Sequence, residues 1–233
     1  MSDVSAILVR HGAYEQPDGV PSAWLPHGLV ASGFEEARAA ARAIVAHCAE
    51  LEIEVDARID CSTLLRAYQT ATAMKGEFER LLGRDFRVVE WHDLAERGVG
   101  AVANLTTTEI EALLEMDPRY EAPPAGWKAS GDYRLPFQGA ESLREAGFRV
   151  ARFLRASLGE LARHSSGRVV RVFVGHGAAF RWASVVTGVL DEARLPILSM
   201  HHCGWVHVAP DHPAWNMRGG AWKHRPTGEP VTD

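Results

Sequence analysis

Ala6-Ile7-Leu8-Val9-Arg10-His11-Gly12 carries an unbroken apolar run into an arginine, a histidine and a glycine. The same design recurs late in the chain as Val169-Val170-Arg171-Val172-Phe173-Val174-Gly175-His176-Gly177. Aliphatic and β-branched runs with little polar alternation suit strands covered on both faces, the condition of a parallel sheet. The glycine after each histidine marks where strand gives way to loop. In open α/β sheets the carboxyl ends of the strands lie side by side and form the ligand-binding edge. Two imidazoles are therefore expected together at one edge of a parallel sheet.

The rest of the chain alternates in the same sense. A Pro- and Gly-marked loop over residues 16–28 precedes Ser32-Gly33-Phe34-Glu35, which reads as a capping box. Phe34, Ala37, Ala41, Ile44, Val45, Cys48 and Leu51 then follow a helical stripe. Arg58-Ile59-Asp60-Cys61 is expected as a short second strand leading into a helix over 64–82, closed by Gly83. Residues 85–91 form a third strand. Ser142-Leu143-Arg144-Glu145 opens a helix running to His164, followed by a strand over 168–174 and a helix over 179–187. Residues 203–208 and 214–217 read as two closing strands at an edge. The predicted fold is α/β, a three-layer α/β/α sandwich with a mostly parallel sheet, in a single domain over 1–233. Residues 97–138 break the alternation, with one helix over 108–116 and then Pro118, Pro123, Pro124, Gly126, Gly131 and Pro136. They are expected to form a cap inserted over the carboxyl edge of the sheet, and residues 224–233 a flexible tail.

Composition narrows the function classes. Lys and Arg total 25 against 30 Asp and Glu, a net charge of -5, so no basic stripe is available for a nucleic-acid backbone. A small cationic pocket for one phosphate remains compatible with that balance, because the local field decides there. The 3 cysteines, Cys48, Cys61 and Cys203, are far apart and suggest neither a disulfide framework nor a zinc knuckle. There is no apolar run long enough to span a membrane and no opening signal segment, so a cytoplasmic protein is expected.

Arg10 with His11, residues 62–66, the neighbourhood of Glu96, and His176 all fall at predicted carboxyl ends of strands. Converged, they make two arginines, two histidines and a carboxylate. Guanidinium donors suit phosphate oxygens. A neutral imidazole is a nucleophile near neutral pH. A carboxylic acid is needed where a poor alkoxide leaving group must be protonated.

The Arg10-His11-Gly12 triplet, Ser62 through Arg66-Ala67-Tyr68-Gln69-Thr70-Ala71, Leu94-Ala95-Glu96 and Val174-Gly175-His176-Gly177 together resemble the histidine phosphatase superfamily, in its phosphoglycerate mutase-like branch 1. The segments at 29–37 and 136–143 also resemble that family's helix openings. The resemblance implies that His11 is the nucleophile and is phosphorylated. It implies that Arg10, Arg66 and His176 hold the phosphoryl group, and that Glu96 protonates the leaving oxygen and then activates water. No cofactor and no metal are implied. Ala13, Tyr14 and Pro17 stand where mutase members carry an acidic residue, a small hydroxyl residue and an asparagine. That departure favours hydrolysis over transfer.

The expected activity is hydrolysis of a small-molecule phosphomonoester through a phosphohistidine. The alternatives are a phosphohistidine phosphoprotein phosphatase, a phosphoglycerate mutase-type phosphotransferase and a non-catalytic binder of a phosphorylated metabolite. Glu90 and Asp93 compete with Glu96 for the proton-donor role through a register shift. Arg97, Trp127, Lys128, Arg134 and His201 are candidate substrate-binding residues, with Tyr133 beside them. The competing reading of the insertion is a loosely packed surface loop. His201, His202, Cys203, His207 and His212 are spaced too poorly for zinc and read as ordinary strand surface. The expected partner is a small phosphorylated metabolite, with no nucleic acid and no membrane. Pairing of the closing edge strand with a second copy would give a homodimer.

Overall fold

The computed structural model describes residues 3–21 and 24–225. Among them the strands are β1 (Asp3–Arg10), β2 (Glu54–Ser62), β3 (Arg87–Trp91), β4 (Arg168–Gly175), β5 (Leu198–Ser199), β6 (Trp205–Ala209), β7 (Asn216–Gly220) and β8 (Lys223–His224). The α-helices are α1 (Ala31–Glu50), α2 (Leu65–Leu82), α3 (Thr107–Met116), α4 (Leu143–His164) and α5 (Gly177–Val186). The main sheet has the order β3-β2-β4-β1-β6-β7. Its first four strands are parallel, and β6 and β7 close it as an antiparallel pair.

Strand alternation sorts the core into two layers. Ile7 and Val9 of β1, Ile59 and Cys61 of β2 and Val172 and Val174 of β4 pack against α1 and α2 through Ala37, Ile44, Ala71, Met74 and Phe78. Ala6, Leu8 and Phe173 face the other way, onto Val150, Leu154 and Leu158 of α4 and Ala179 and Phe180 of α5. The sheet is thus covered on both faces, as the apolar runs require.

Several boundaries differ from the expectation. The capping box at Ser32 does not form: α1 starts at Ala31 with Val30 as its N-cap and no side-chain cap. The entry is set by tertiary contacts instead. Tyr14 and Leu29 form an antiparallel bridge, and the Val30 N–H donates to the Ala13 carbonyl at 3.0 Å. A Cβ on Gly12 would lie 2.6 Å from the Gly33 oxygen, and one on Gly33 would lie 2.2 Å from the Ala13 oxygen. Only paired glycines allow the start of α1 to dock this closely on the loop after β1. The second capping box does form, with Ser142 and Glu145 satisfying each other's backbone N–H groups.

At the far end, His224 is not in a tail: β8 pairs with β5, and the Arg225 N–H donates to the Ile197 carbonyl. The remainder of the expected tail, 226–233, lies outside the described residues. The closing strands form the expected hairpin about two residues later than read, with β7 at the sheet edge.

Candidate active site

The parallel registers bring the strand ends level. Arg10 pairs with Gly175, Cys61 with Val174 and Ser62 with Trp91. The residues that follow β1, β2 and β4 therefore meet at one edge. His11 and His176 have ring centroids 5.1 Å apart, and both are buried. Arg66, in the first turn of α2, reaches between them with no exposed surface.

The hydrogen bonds determine the tautomers. The His11 Nδ1 lies 2.9 Å from the Gly12 carbonyl, an acceptor only, so Nδ1 carries the proton. Its Nε2 then accepts from the Arg66 Nε–H at 3.2 Å with its one lone pair. The His176 Nδ1 accepts from a terminal Arg66 nitrogen at 3.3 Å, which puts the proton on Nε2, directed at the Ser62 hydroxyl at 2.9 Å. Another Arg66 nitrogen donates to the Leu25 carbonyl at 2.9 Å.

Helical spacing explains the motif around Arg66. Gln69 and Thr70 lie three and four residues on, on the same face. Gln69 accepts the Leu29 N–H at 2.7 Å, and the Thr70 hydroxyl accepts the Gly12 N–H at 3.0 Å while donating to the Arg66 carbonyl. One turn of α2 thus holds both the cation and the loop that carries His11.

Burial acts first on the ionisation of the site. It holds the His11 imidazole well below the usual histidine range, and Arg66, His176 and Arg10 push in the same direction. His176 is likewise held well below by burial, then by Arg66 and Arg10. Burial also lowers Arg66, against the opposing effects of Tyr14 and Glu96. The two imidazoles are neutral at physiological pH.

Glu96 is buried, whereas Glu90 is exposed on β3 and Asp93 faces Arg152 at 3.6 Å. The Glu96 carboxylate sits on the N-terminus of α5. It accepts from the N–H groups of Arg97 at 2.9 Å, Ala179 at 3.0 Å and Ala178 at 3.3 Å. Arg149 of α4 orders the segment before it, donating to the carbonyls of Asp93, Ala95 and Glu96 while gripping Glu141 through two nitrogens. No sequence signal singled out Arg149, because the segment it orders is held through backbone oxygens and Glu141 lies eight residues away, outside its own helix.

The other candidates divide. Arg97 is buried beside Glu96, its guanidinium 5.8 Å from the Trp127 ring centre. Burial lowers its pKa against the pull of Glu96 and Glu141. Trp127 turns into a small core of Val99, Val102, Ile110, Leu114 and Leu135, and its Nε1 donates to Glu111 at 2.8 Å. The segment 97–138 is therefore packed rather than loose. Arg134 is exposed and paired with Glu145 at 3.3 Å, and Lys128 is half-buried on the turn beside Trp127. Tyr133 joins the small core. Gly131 abuts the Trp182 ring, where a Cβ would lie 2.2 Å from a ring carbon, and Arg144 pairs with Asp132. These contacts fasten the end of the insertion to α4 and α5.

His201 is exposed, and the ring beside His11 belongs to its neighbour His202, at 5.8 Å. His207 is not strand surface: it is buried between Ser5 at 2.8 Å and His47 at 3.0 Å, because β6 lies inside the sheet under α1. Among the described residues no group of three or more His, Cys, Asp or Glu side chains is placed to hold a metal ion. None of their helices is long and apolar enough to cross a membrane.

The sequence profile of the histidine phosphatase superfamily (branch 1) matches residues 6–222. The chain belongs to that superfamily. Among curated proteins no sequence matches it significantly. Solved structures share the superfamily fold at low identity. A mycobacterial glucosyl-3-phosphoglycerate phosphatase is 23% identical with a TM-score of 0.66, covering 91% of this chain and 96% of that one. A phosphoserine phosphatase from Entamoeba histolytica, solved with 3-phosphoglyceric acid, is 16% identical with a TM-score of 0.62, covering 93% and 96%. Both align over nearly the full length of this superfamily member.

Proposed function

We propose that the protein hydrolyses a small-molecule phosphomonoester in two steps through a phosphohistidine on His11, without a metal. The observation that carries this reading is the neutral His11 with its Nε2 lone pair directed at Arg66. An arriving phosphoryl dianion takes over the Arg66 donors and uncovers that lone pair. A bond forms from Nε2 to phosphorus as the ester P–O bond breaks, and the departing oxygen takes a proton from Glu96. Water then attacks phosphorus, the P–N bond breaks and the proton returns to Glu96. Arg10, Arg66 and His176 hold the equatorial oxygens throughout, the positioning and charge stabilisation that phosphoryl transfer needs. Arg97, buried beside Glu96, supplies a third cation, for an anionic group on the leaving side.

Tyr14 supports hydrolysis over transfer. Its ring lies edge-on to His11 at 5.0 Å and beneath the Arg66 guanidinium at 4.7 Å, filling the space where a small hydroxyl residue would leave room. The related phosphatase folds and the cap over 97–138 agree with a small phosphorylated metabolite as substrate.

The test is a rapid-quench search for phosphoenzyme during turnover of 4-nitrophenyl phosphate in EDTA. A base-stable, acid-labile phosphoprotein is expected in the wild type and absent in His11→Ala. Turnover abolished by EDTA, or a phosphoprotein that persists in His11→Ala, would overturn the mechanism.

A further inference from the structure

β1 lies between β4 and β6, so the loop that carries His11 has a neighbour on each side. His176 comes from the β4 side, 5.1 Å from His11 between ring centroids. His202 comes from the turn ahead of β6, at 5.8 Å and tilted by 38°. The separations are similar, but His176 is buried and His202 is exposed.

The turn at 200–204 is firmly built. Cys203 adopts a left-handed conformation, φ 52°, that residues with a Cβ disfavour. Backbone bonds impose it. The Cys203 N–H is shared by the carbonyls of Arg10 at 3.1 Å and His11 at 3.2 Å, the Arg10 N–H donates to Gly204, and the Gly204 N–H donates to His201. The Arg10 guanidinium closes the turn onto the Met200 carbonyl at 2.6 Å. Strain held in place by its surroundings is characteristic of functional sites. Tyr14 stands edge-on to both imidazoles, 5.0 Å from His11 and 6.5 Å from His202, and so spaces them.

We infer that His202 is a substrate-contacting residue, donating a hydrogen bond to the phosphorylated substrate on the β6 side of His11, opposite His176. The inference rests on the phosphohistidine reading above. The titratable groups beside His202 include His11 and Tyr14 of the loop after β1, His201 and Cys203 on its own turn, and Glu36 of α1. Glu36 lines with His201 and His202 a groove of about 520 Å³.

The test compares wild type, His202→Ala and His202→Gln for kcat and KM on 4-nitrophenyl phosphate and for inhibition by inorganic phosphate. In His202→Ala, KM and the phosphate inhibition constant are expected to rise about tenfold or more, as for loss of one charge-assisted hydrogen bond, with little change in kcat. His202→Gln keeps a hydrogen-bond donor, so it should recover much of the KM and phosphate inhibition lost in His202→Ala, which a merely structural role would not predict. An unchanged KM and inhibition constant in His202→Ala would overturn this assignment alone. A wild type that neither hydrolyses nor binds phosphate would overturn the phosphohistidine reading with it.

Discussion

Two buried polar clusters lie at β2 and β4, and they treat charge in opposite ways. Beneath α4, Asp56, Arg58 and Asp60 project from alternate positions of β2 and meet Arg171 of β4. Arg58 pairs with Asp60 at 2.6 Å and Glu160 at 3.1 Å, and Arg171 pairs with Asp56 at 2.5 Å. Ser157 donates to Asp60 at 3.1 Å and accepts from Arg171 at 2.9 Å, and the Trp91 Nε1 donates to Asp60 at 2.9 Å. At the carboxyl edge, Arg66 is set against two neutral imidazoles and a carbonyl. Burial lowers both arginines in principle. Asp60 and Glu160 more than reverse it for Arg58, which is raised, whereas Arg66 stays lowered. A desolvated guanidinium held in that state gains most when an anion arrives. The cluster under α4 balances its arginines with carboxylates, and the one at the edge sets its arginine against neutral rings, the arrangement that the proposed binding of a phosphate requires.

Substitutions should separate the two. The largest effect is expected for Arg66→Met, with kcat/KM falling about 10³-fold or more and stability to urea unchanged or raised, because an apolar chain replaces a desolvated cation. Activity within tenfold of wild type would erase the distinction. Asp60→Ala should do the reverse. Leaving Arg58 and Arg171 buried against a missing carboxylate costs about 3–5 kcal/mol in urea unfolding, while activity per folded molecule persists. Loss of turnover in protein that is demonstrably folded would show that the clusters are coupled.

A smaller effect sharpens the edge cluster. His11 and His176 stay neutral when folded, yet take up protons at the ordinary histidine pKa of about 6.5 when unfolded. Stability is therefore complete above that pH and falls as pH drops from there toward the depressed folded values. His176→Asn should flatten this acid limb by about one proton, roughly 1.4 kcal/mol per pH unit at most. An unaltered slope would mean that His176 is protonated in the folded protein.

The strands at Ala6 and Val169, the helix closed by Gly83, the box at Ser142 and the histidines at strand ends were legible because each depends on local chemistry or on a period of two or of 3.6. Their boundaries were less so. Ser32 looks as good a cap as Ser142, but the bridge from Tyr14 to Leu29 and the close approach of Gly12 to Gly33 start the helix at Ala31 instead. The pairing of β5 with β8 joins two-residue strands far too short to carry a pattern.

Sequence alone determined the superfamily, the layered α/β plan and the identity of the groups gathered at the sheet edge, since these follow from composition, periodicity and motif order. Tertiary structure alone decided which face of β2 buries its charges, which nitrogen of His11 keeps its lone pair and which of His201 and His202 stands beside it. Alternation along Asp56, Arg58 and Asp60 reads as a solvated face until α4 covers it. Neighbouring residues diverge at Cys203 because backbone bonds from another strand hold it left-handed. Such outcomes depend on contacts between segments distant in the chain, and no local pattern encodes the direction of a contact.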